Sequence, residues 1–300
     1  SRRQLYQQKQ LTLSRENSRK YCFVWRKFAV LFAMRTTTFI LFWLVQATAG
    51  ATDLFHREVA NPVSSSMGET LFRSPNFENP ATATYETTRC AYADYHNKYG
   101  VKELGYWEAS LLYPTQWAHQ LLKFEHFGHE HYHYTALHYG IGKKLSERWS
   151  LGTAIRLKHL HFTGCQEDRN ILQNDIGVTW SATAKVTLEV LIHNLIESKL
   201  TDSEGEVKSG HTTTVGGAFQ LLDNAQWCLE LEETQWEDWQ IKNGFEFTYE
   251  RASFRCGFKF LPVLPTFGIG FDLTQLRLDL SGSFHNQLGY SIAIGVGSKF

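Results

Sequence analysis

The sequence predicts an all-β fold: a 14-stranded antiparallel transmembrane β-barrel with an N-terminal plug segment. Three observations carry the prediction. From residue 85 onward, hydrophobic and polar residues alternate with period two, in stretches of about ten residues or more. That is the length a tilted strand needs to cross a bilayer, and about twice that of an ordinary soluble strand. The connections sort by length, with tight turns at one end and long loops at the other, as in transmembrane barrels. Aromatics are abundant and prolines scarce, with 9 Trp, 13 Tyr and 21 Phe against 6 Pro. That balance suits strands with aromatic edges and not a linker-rich chain.

The bulk numbers exclude several classes. Thirty basic and thirty acidic residues cancel, so no net charge argues for nucleic acid as a partner. Mean hydropathy is −0.32, too low for a helical membrane protein but compatible with strands that are half polar. Five cysteines in 300 residues make no disulfide framework. Cys228 falls on a polar face with Glu230 and Glu232, and Cys256 on an apolar one with Phe254, Phe258 and Phe260, so the two make poor partners.

In chain order, residues 1–33 are basic and polar before Phe28-Ala29-Val30-Leu31-Phe32, and are expected to be disordered and to derive from a start codon placed too early. Residues 34–49 have the three parts of a signal peptide: Met34-Arg35, the apolar run Phe39 to Val45, and the small-x-small site Ala47-Thr48-Ala49. Residues 50–84 hold Asn61-Pro62, Ser64-Ser65-Ser66, Gly68, Pro75 and Asn79-Pro80, turn chemistry that predicts irregular structure. This stretch is expected to be either a periplasmic tail or a plug folded into the lumen, and the plug is favoured because Leu54, Phe55, Leu71, Phe72 and Phe77 need burial.

Residues 85–300 form the barrel. The expected strands are about 85–96, 103–113, 116–127, 131–143, 149–163, 170–182, 185–195, 210–221, 225–236, 239–250, 252–261, 265–274, 275–285 and 287–300. An even number returns the C-terminus to the side from which the chain entered. Tight turns are expected at Tyr113–Gln116, Leu222–Asn224, Arg251 and Thr274-Gln275, and the longest loops at 196–209 and 163–169. The last strand shows the alternation most clearly. Leu288, Tyr290, Ile292, Ile294, Val296 and Phe300 share one face, opposite Gly289, Ser291, Ala293, Gly295 and Gly297. The large face is expected to meet lipid and the small one the lumen.

The polar faces give a set of lumen charges: Arg156, Lys158, Glu189, Glu230, Glu232, Lys242, Glu246, Glu250, Arg255, Asp272, Arg277 and Asp279. Both signs occur, so structural pairing across the lumen is expected, not a pore with a charge preference. His129, His131 and His133 alternate, and on one strand face two of them could share a metal ion; they are the candidate metal ligands, set against the plainer role of a half-polar ring at the rim. No Gly-x-Ser-x-Gly elbow or His-Glu-x-x-His helix is present. Neither an enzyme nor a cofactor is expected.

The terminal strand, ending on an aromatic residue, resembles the assembly signal of bacterial outer-membrane barrels, carried here by Tyr290, Ile292, Ile294, Val296 and Phe300. Beyond it, the chain is similar to the PorV/PorQ group of outer-membrane barrels from Bacteroidota, distant relatives of the FadL transporters, and closer to PorQ. The likeness covers nearly all of 54–300. It rests on Pro62-Val63-Ser64-Ser65-Ser66-Met67-Gly68 followed by Asn79-Pro80-Ala81, on Leu151 to Lys158, on Asp175-Ile176-Gly177 and on His193-Asn194-Leu195. Gly244-Phe245-Glu246-Phe247, Phe254-Arg255-Cys256-Gly257-Phe258 and Phe267-Gly268-Ile269-Gly270 complete it. The resemblance implies an outer-membrane component of type IX protein secretion or surface attachment. Its partners would be other outer-membrane or surface proteins and the lipid bilayer. The alternative it leaves is a FadL-like transporter of hydrophobic small molecules.

Overall fold

The computed structural model describes residues 61–72, 75, 77–163, 168–196, 199–202, 205–208, 210–234, 239–260 and 263–300. The predicted signal peptide and the residues before it, Leu54, Phe55 and Trp236 lie outside that set. Fourteen strands form one closed antiparallel barrel. They are β1 (Cys90–Asn97), β2 (Gly105–Pro114), β3 (His119–His129), β4 (Tyr132–Lys144), β5 (Trp149–Phe162), β6 (Arg169–Thr183) and β7 (Val186–His193), then β10 (Thr212–Leu222), β11 (Ala225–Thr234), β12 (Gln240–Tyr249), β13 (Ala252–Lys259), β14 (Leu264–Leu273), β15 (Leu276–His285) and β16 (Gly289–Lys299). Closure is made by β1 against β16, from Cys90↔Lys299 to Asn97↔Ile292. All fourteen expected strands are present.

Two details differ from expectation. The long connection before β10 contains a separate hairpin, β8 (Lys199–Asp202) with β9 (Gly205–Lys208). Its four-residue strands are too short to stand out by periodicity. Barrel strand β1 starts at Cys90, and Tyr85 instead ends a 3-10 helix, Pro80–Tyr85.

The alternation is realised as burial. In β16, Tyr290, Ile292, Ile294 and Val296 are exposed, whereas Ser291 and Ala293 are buried. In β5, Leu151, Ile155 and Leu157 point out and Ser150, Arg156 and Lys158 point in. This is an inside-out pattern, apolar outside and charged inside, which a water-soluble barrel could not sustain. The connections at one end are no longer than the four residues between Pro114 and His119, and the C-terminus lies at that same end. The other end carries 98–104, 163–168 and the long 194–211 segment. The first is the turn end and the second the loop end.

The plug occupies the lumen. Its first element, α1 (Pro62–Ser66), is wholly buried, as are Pro80 to Thr84 of the 3-10 helix. The two Asn-Pro pairs were expected to mark irregular chain, and each instead starts a helix. Asn61 Oδ1 accepts from the N–H of Val63 and Ser64, and Asn79 Oδ1 from that of Ala81. Asn at the cap with Pro just inside is a start signal as well as a turn signal. Leu71, Phe72 and Phe77 are buried as expected.

Candidate functional site in the lumen

Along the wall formed by β2 to β6 the lumen is layered. At the loop end, Tyr106, Phe127, Tyr134, Leu160 and Ile171 face inward and pack together, with Leu104, Tyr132 and Phe162 against them. The Phe127 and Tyr134 rings stack at 5.4 Å between centroids, and Tyr132 lies 4.7 Å from Phe162. Lys158 Nζ sits 3.6 Å from the centroid of the Tyr134 ring, closing this apolar layer from below with a cation–π contact.

Beneath it is a charged layer. Lys123 is ion-paired with Glu78 of the plug, with Glu125 at 3.3 Å and with Glu108 at 3.7 Å. His138 Nε2 lies 3.0 Å from Glu125, and Arg156 Nε donates to His138 Nδ1 at 3.0 Å. Arg156 Nη1 reaches His193 Nε2 at 2.9 Å, and His193 Nδ1 lies 2.6 Å from Asp175. Asp175 also accepts the N–H of Asn194 at 3.1 Å. The network thus runs from β2 to β7 without a break. Charges this deep are tolerable only when paired and hydrogen-bonded, and these are. Glu78, Glu108 and Glu125 are, among the described residues, the one group of potential ligands whose oxygen atoms already lie within 4.8 Å of one another. The ammonium of Lys123 sits among the three carboxylates.

Around the rest of the lumen, carboxylates of the wall hold the plug. Glu230 accepts from the N–H groups of Leu71 (2.7 and 2.9 Å) and Phe72 (2.7 Å). The amide of Asn61 donates to Asp94 at 3.3 Å and that of Asn79 to Glu189 at 3.0 Å, so each Asn caps a plug helix and ties it to the wall. Lys259 pairs with Glu69 of the plug at 2.9 Å. Burial alone would raise the Glu69 carboxyl, but Lys259, with help from Lys242 and Lys98, holds it far below the ordinary carboxylate range. Thr266 Oγ1 donates to Ser66 O and accepts from Gly68 N, both at 2.9 Å. Gly68 has φ +68°, and a Cβ there would lie 2.5 Å from the carbonyl oxygens of Asn243 and Phe258. Glycine is required at that turn for conformation and for room.

The predicted lumen charges sort cleanly. Arg156, Lys158, Glu189, Glu230, Glu232, Lys242, Arg255 and Asp279 are buried inside. Lys242 pairs with Glu232 at 2.7 Å, and Arg255 bridges Glu246 (2.5 Å) and Asp279 (2.7 Å). Arg277 joins Asp279 (2.7 Å) and Asp272 (3.5 Å) near the turn end, where Asp272 is half exposed. Glu250 is a correction: it occupies the β12–β13 turn at φ +52° and is exposed. Glu78, Glu108, Lys123, Glu125 and His138 belong to the charged layer but were not among the predicted lumen charges, nor were Asp175 and His193, which the sequence singled out only as motif residues. Their signal was present in β3, where Lys123 and Glu125 alternate with Leu122 and Phe124. That inward face, however, begins and ends on Leu121 and Phe127, which blurs its polarity.

His129 and His131 do not share a strand face with His133. The first ends β3, the second lies in the turn after Gly128 (φ +96°), and only His133 belongs to β4. Tyr290, Ile292, Ile294, Val296 and Phe300 all face outward.

The sequence matches no protein-family model and no curated protein. Among solved structures, the toluene transporter TodX of Pseudomonas putida superposes with a TM-score of 0.62 at 12% identity, covering 83% of this chain and 99% of that one. A FadL homologue from Pseudomonas aeruginosa gives 0.61 at 12% identity, covering 81% and 98%. At that identity the likeness shows the fold alone: a closed antiparallel barrel of the kind these two structures have.

Proposed function

We propose that this barrel is a non-enzymatic outer-membrane protein that takes up hydrophobic small molecules from outside. The observation that carries the reading is the inward-facing layer of Tyr106, Phe127, Tyr134, Leu160 and Ile171 at the outer mouth. A charged layer lies directly below it, so the aromatic layer at the entrance is a site for apolar, ring-containing or alkyl molecules. The FadL-like fold supports it, and one neighbour of that fold is a toluene transporter. The plug and the charged layer lie below the mouth, so passage along the axis has to get past both, and the other route is an exit through the wall. Uptake of labelled toluene and of a labelled long-chain fatty acid into cells expressing the barrel tests the reading. Phe127→Glu is expected to cut uptake at least tenfold with normal membrane levels of folded barrel. Uptake equal to that of cells without the barrel would overturn it.

A second reading keeps the barrel as a component of protein secretion or surface attachment of the PorV/PorQ kind. The packed, charge-paired lumen and the exposed Trp239 at the loop end favour it. Pull-down from native membranes in mild detergent separates the two: a stoichiometric outer-membrane or surface partner supports this second role, and recovery of the barrel alone counts against it.

A further inference from the structure

Three imidazoles stand in a row on the outer surface of the barrel, on adjacent strands at the loop end. They are His126 of β3, His133 of β4 and His161 of β5. All three belong to the outward-facing sets, just above the lipid-facing Phe124, Leu137 and Leu157. His133 and His161 are directly opposite each other in the β4–β5 ladder, and their rings stack at 4.8 Å. The His126 ring lies 5.9 Å from that of His133. Directly opposed residues hold their Cβ atoms about 5 Å apart, within reach of a common ion.

What distinguishes this row from a chance cluster is the state of the other ring nitrogen. His161 Nδ1 lies 2.6 Å from Asp168 Oδ1, and His133 Nδ1 lies 3.2 Å from the carbonyl oxygen of His129. A carboxylate and a carbonyl can only accept, so in the neutral rings both Nδ1 atoms carry the proton and the lone pairs are on Nε2. His126 Nδ1 lies 3.3 Å from Thr135 Oγ1, a hydroxyl that can donate or accept. An oxygen acceptor on one nitrogen that fixes the tautomer and raises the basicity of the other is how proteins prepare histidine to ligate a metal. We infer that His133 and His161 bind a divalent transition metal ion of the zinc, copper or nickel class through Nε2. His126 is the third ligand, and Asp168 orients His161. Imidazole donors select that class over calcium or magnesium. The rings now stack side by side, so binding requires one partly exposed ring to swing toward the other, and water completes the coordination.

The site differs from the one the His129-x-His131-x-His133 spacing suggested. His131 is not a ligand, which gives the test its control. The untagged, full-length barrel in micelles at pH 7.5 is titrated with zinc against a chromophoric chelator. One zinc per chain is expected, with affinity at least tenfold weaker in His133→Ala and in His161→Ala. Asp168→Asn is expected to weaken binding about tenfold, within the usual range for loss of an orienting partner. His131→Ala is expected to bind as the wild type does. Folding of each variant is verified by heat-modifiable electrophoretic mobility. A measurement without substitutions runs in parallel: zinc protects His133 and His161, but not His131, from diethylpyrocarbonate. Zinc binding unchanged in the His133→Ala/His161→Ala double variant, or loss in His131→Ala equal to that in His133→Ala, overturns the assignment, as does equal protection of all three histidines.

Discussion

Two residues illustrate how single side chains hold the plug. Asn79 uses its oxygen to cap the 3-10 helix and its amide to reach Glu189, and it presses on the wall where β6 carries Gly177. Asn79→Ala removes a cap worth about 1 kcal/mol and a buried hydrogen bond to a charged group worth about 1.5–3 kcal/mol. Glu230→Gln keeps the shape but removes the charge that three N–H contacts address, and is expected to cost about 1–3 kcal/mol. Both variants should leave the barrel folded and make the plug cleavable by a protease added to the barrel in detergent micelles. Resistance equal to the wild type would refute the anchoring role. The Asn-Pro pairs were visible in the sequence as punctuation. Which carboxylates they reach was not, because the partners lie 33 and 110 positions away and no local pattern encodes them.

Among the elements, the strands were the most legible. The reason is physical: a strand between lipid and a polar lumen must alternate, and β14, β15 and β16 do so without exception over their central residues. The inner aromatic layer was not legible. It puts Tyr106, Phe127 and Tyr134 on the lumen side, where a sorting by polarity assigns large apolar residues to lipid. The short β8–β9 hairpin has no such period to show.

The plug elements depend on close approach to the wall. At Gly152 of β5 an added Cβ would lie 2.4 Å from Ala81 N. Gly152→Val therefore cannot coexist with the seated 3-10 helix, and is expected to raise single-channel conductance in planar bilayers severalfold over the wild type. Unchanged conductance would mean that the plug does not close the path. At the turn-end rim, burial would raise the Glu86 carboxyl. Hydrogen bonds from Lys299 at 2.6 Å and from Thr88 prevail and hold it below its ordinary 4.5. A depressed carboxylate contributes stability above its unfolded pKa and loses it as pH falls through the folded value. The tie between plug and last strand should therefore weaken as pH falls below the ordinary carboxylate range. Hydrogen exchange at residues 86–89, faster at pH 3.5 than at pH 6 after correction for intrinsic rates, checks this.

For the whole molecule, the exposed apolar wall is the property that decides location. Deleting Phe300 leaves the lumen untouched, since its ring is exposed and its N–H meets Arg89 O at 2.9 Å at the very edge. The deletion is expected to lower the amount of barrel inserted in the outer membrane, with little change in the thermal stability of what is inserted. Normal membrane levels would refute an assembly role for the terminal residue.

The pairing of β1 with β16 also constrains the order of folding. The first barrel strand waits for the last, so the ring closes only when contacts separated by about 200 residues form. Such distant closures are entropically slow. The plug precedes β1 in the chain, yet it touches β14 through Thr266 and β13 through Lys259. It must already lie within the curling sheet when the seam zips, or be drawn in afterwards through an open end. In the first case the plug acts as the mandrel on which the barrel is wound, and variants that unseat it would slow closure of the seam more than they destabilise the finished barrel.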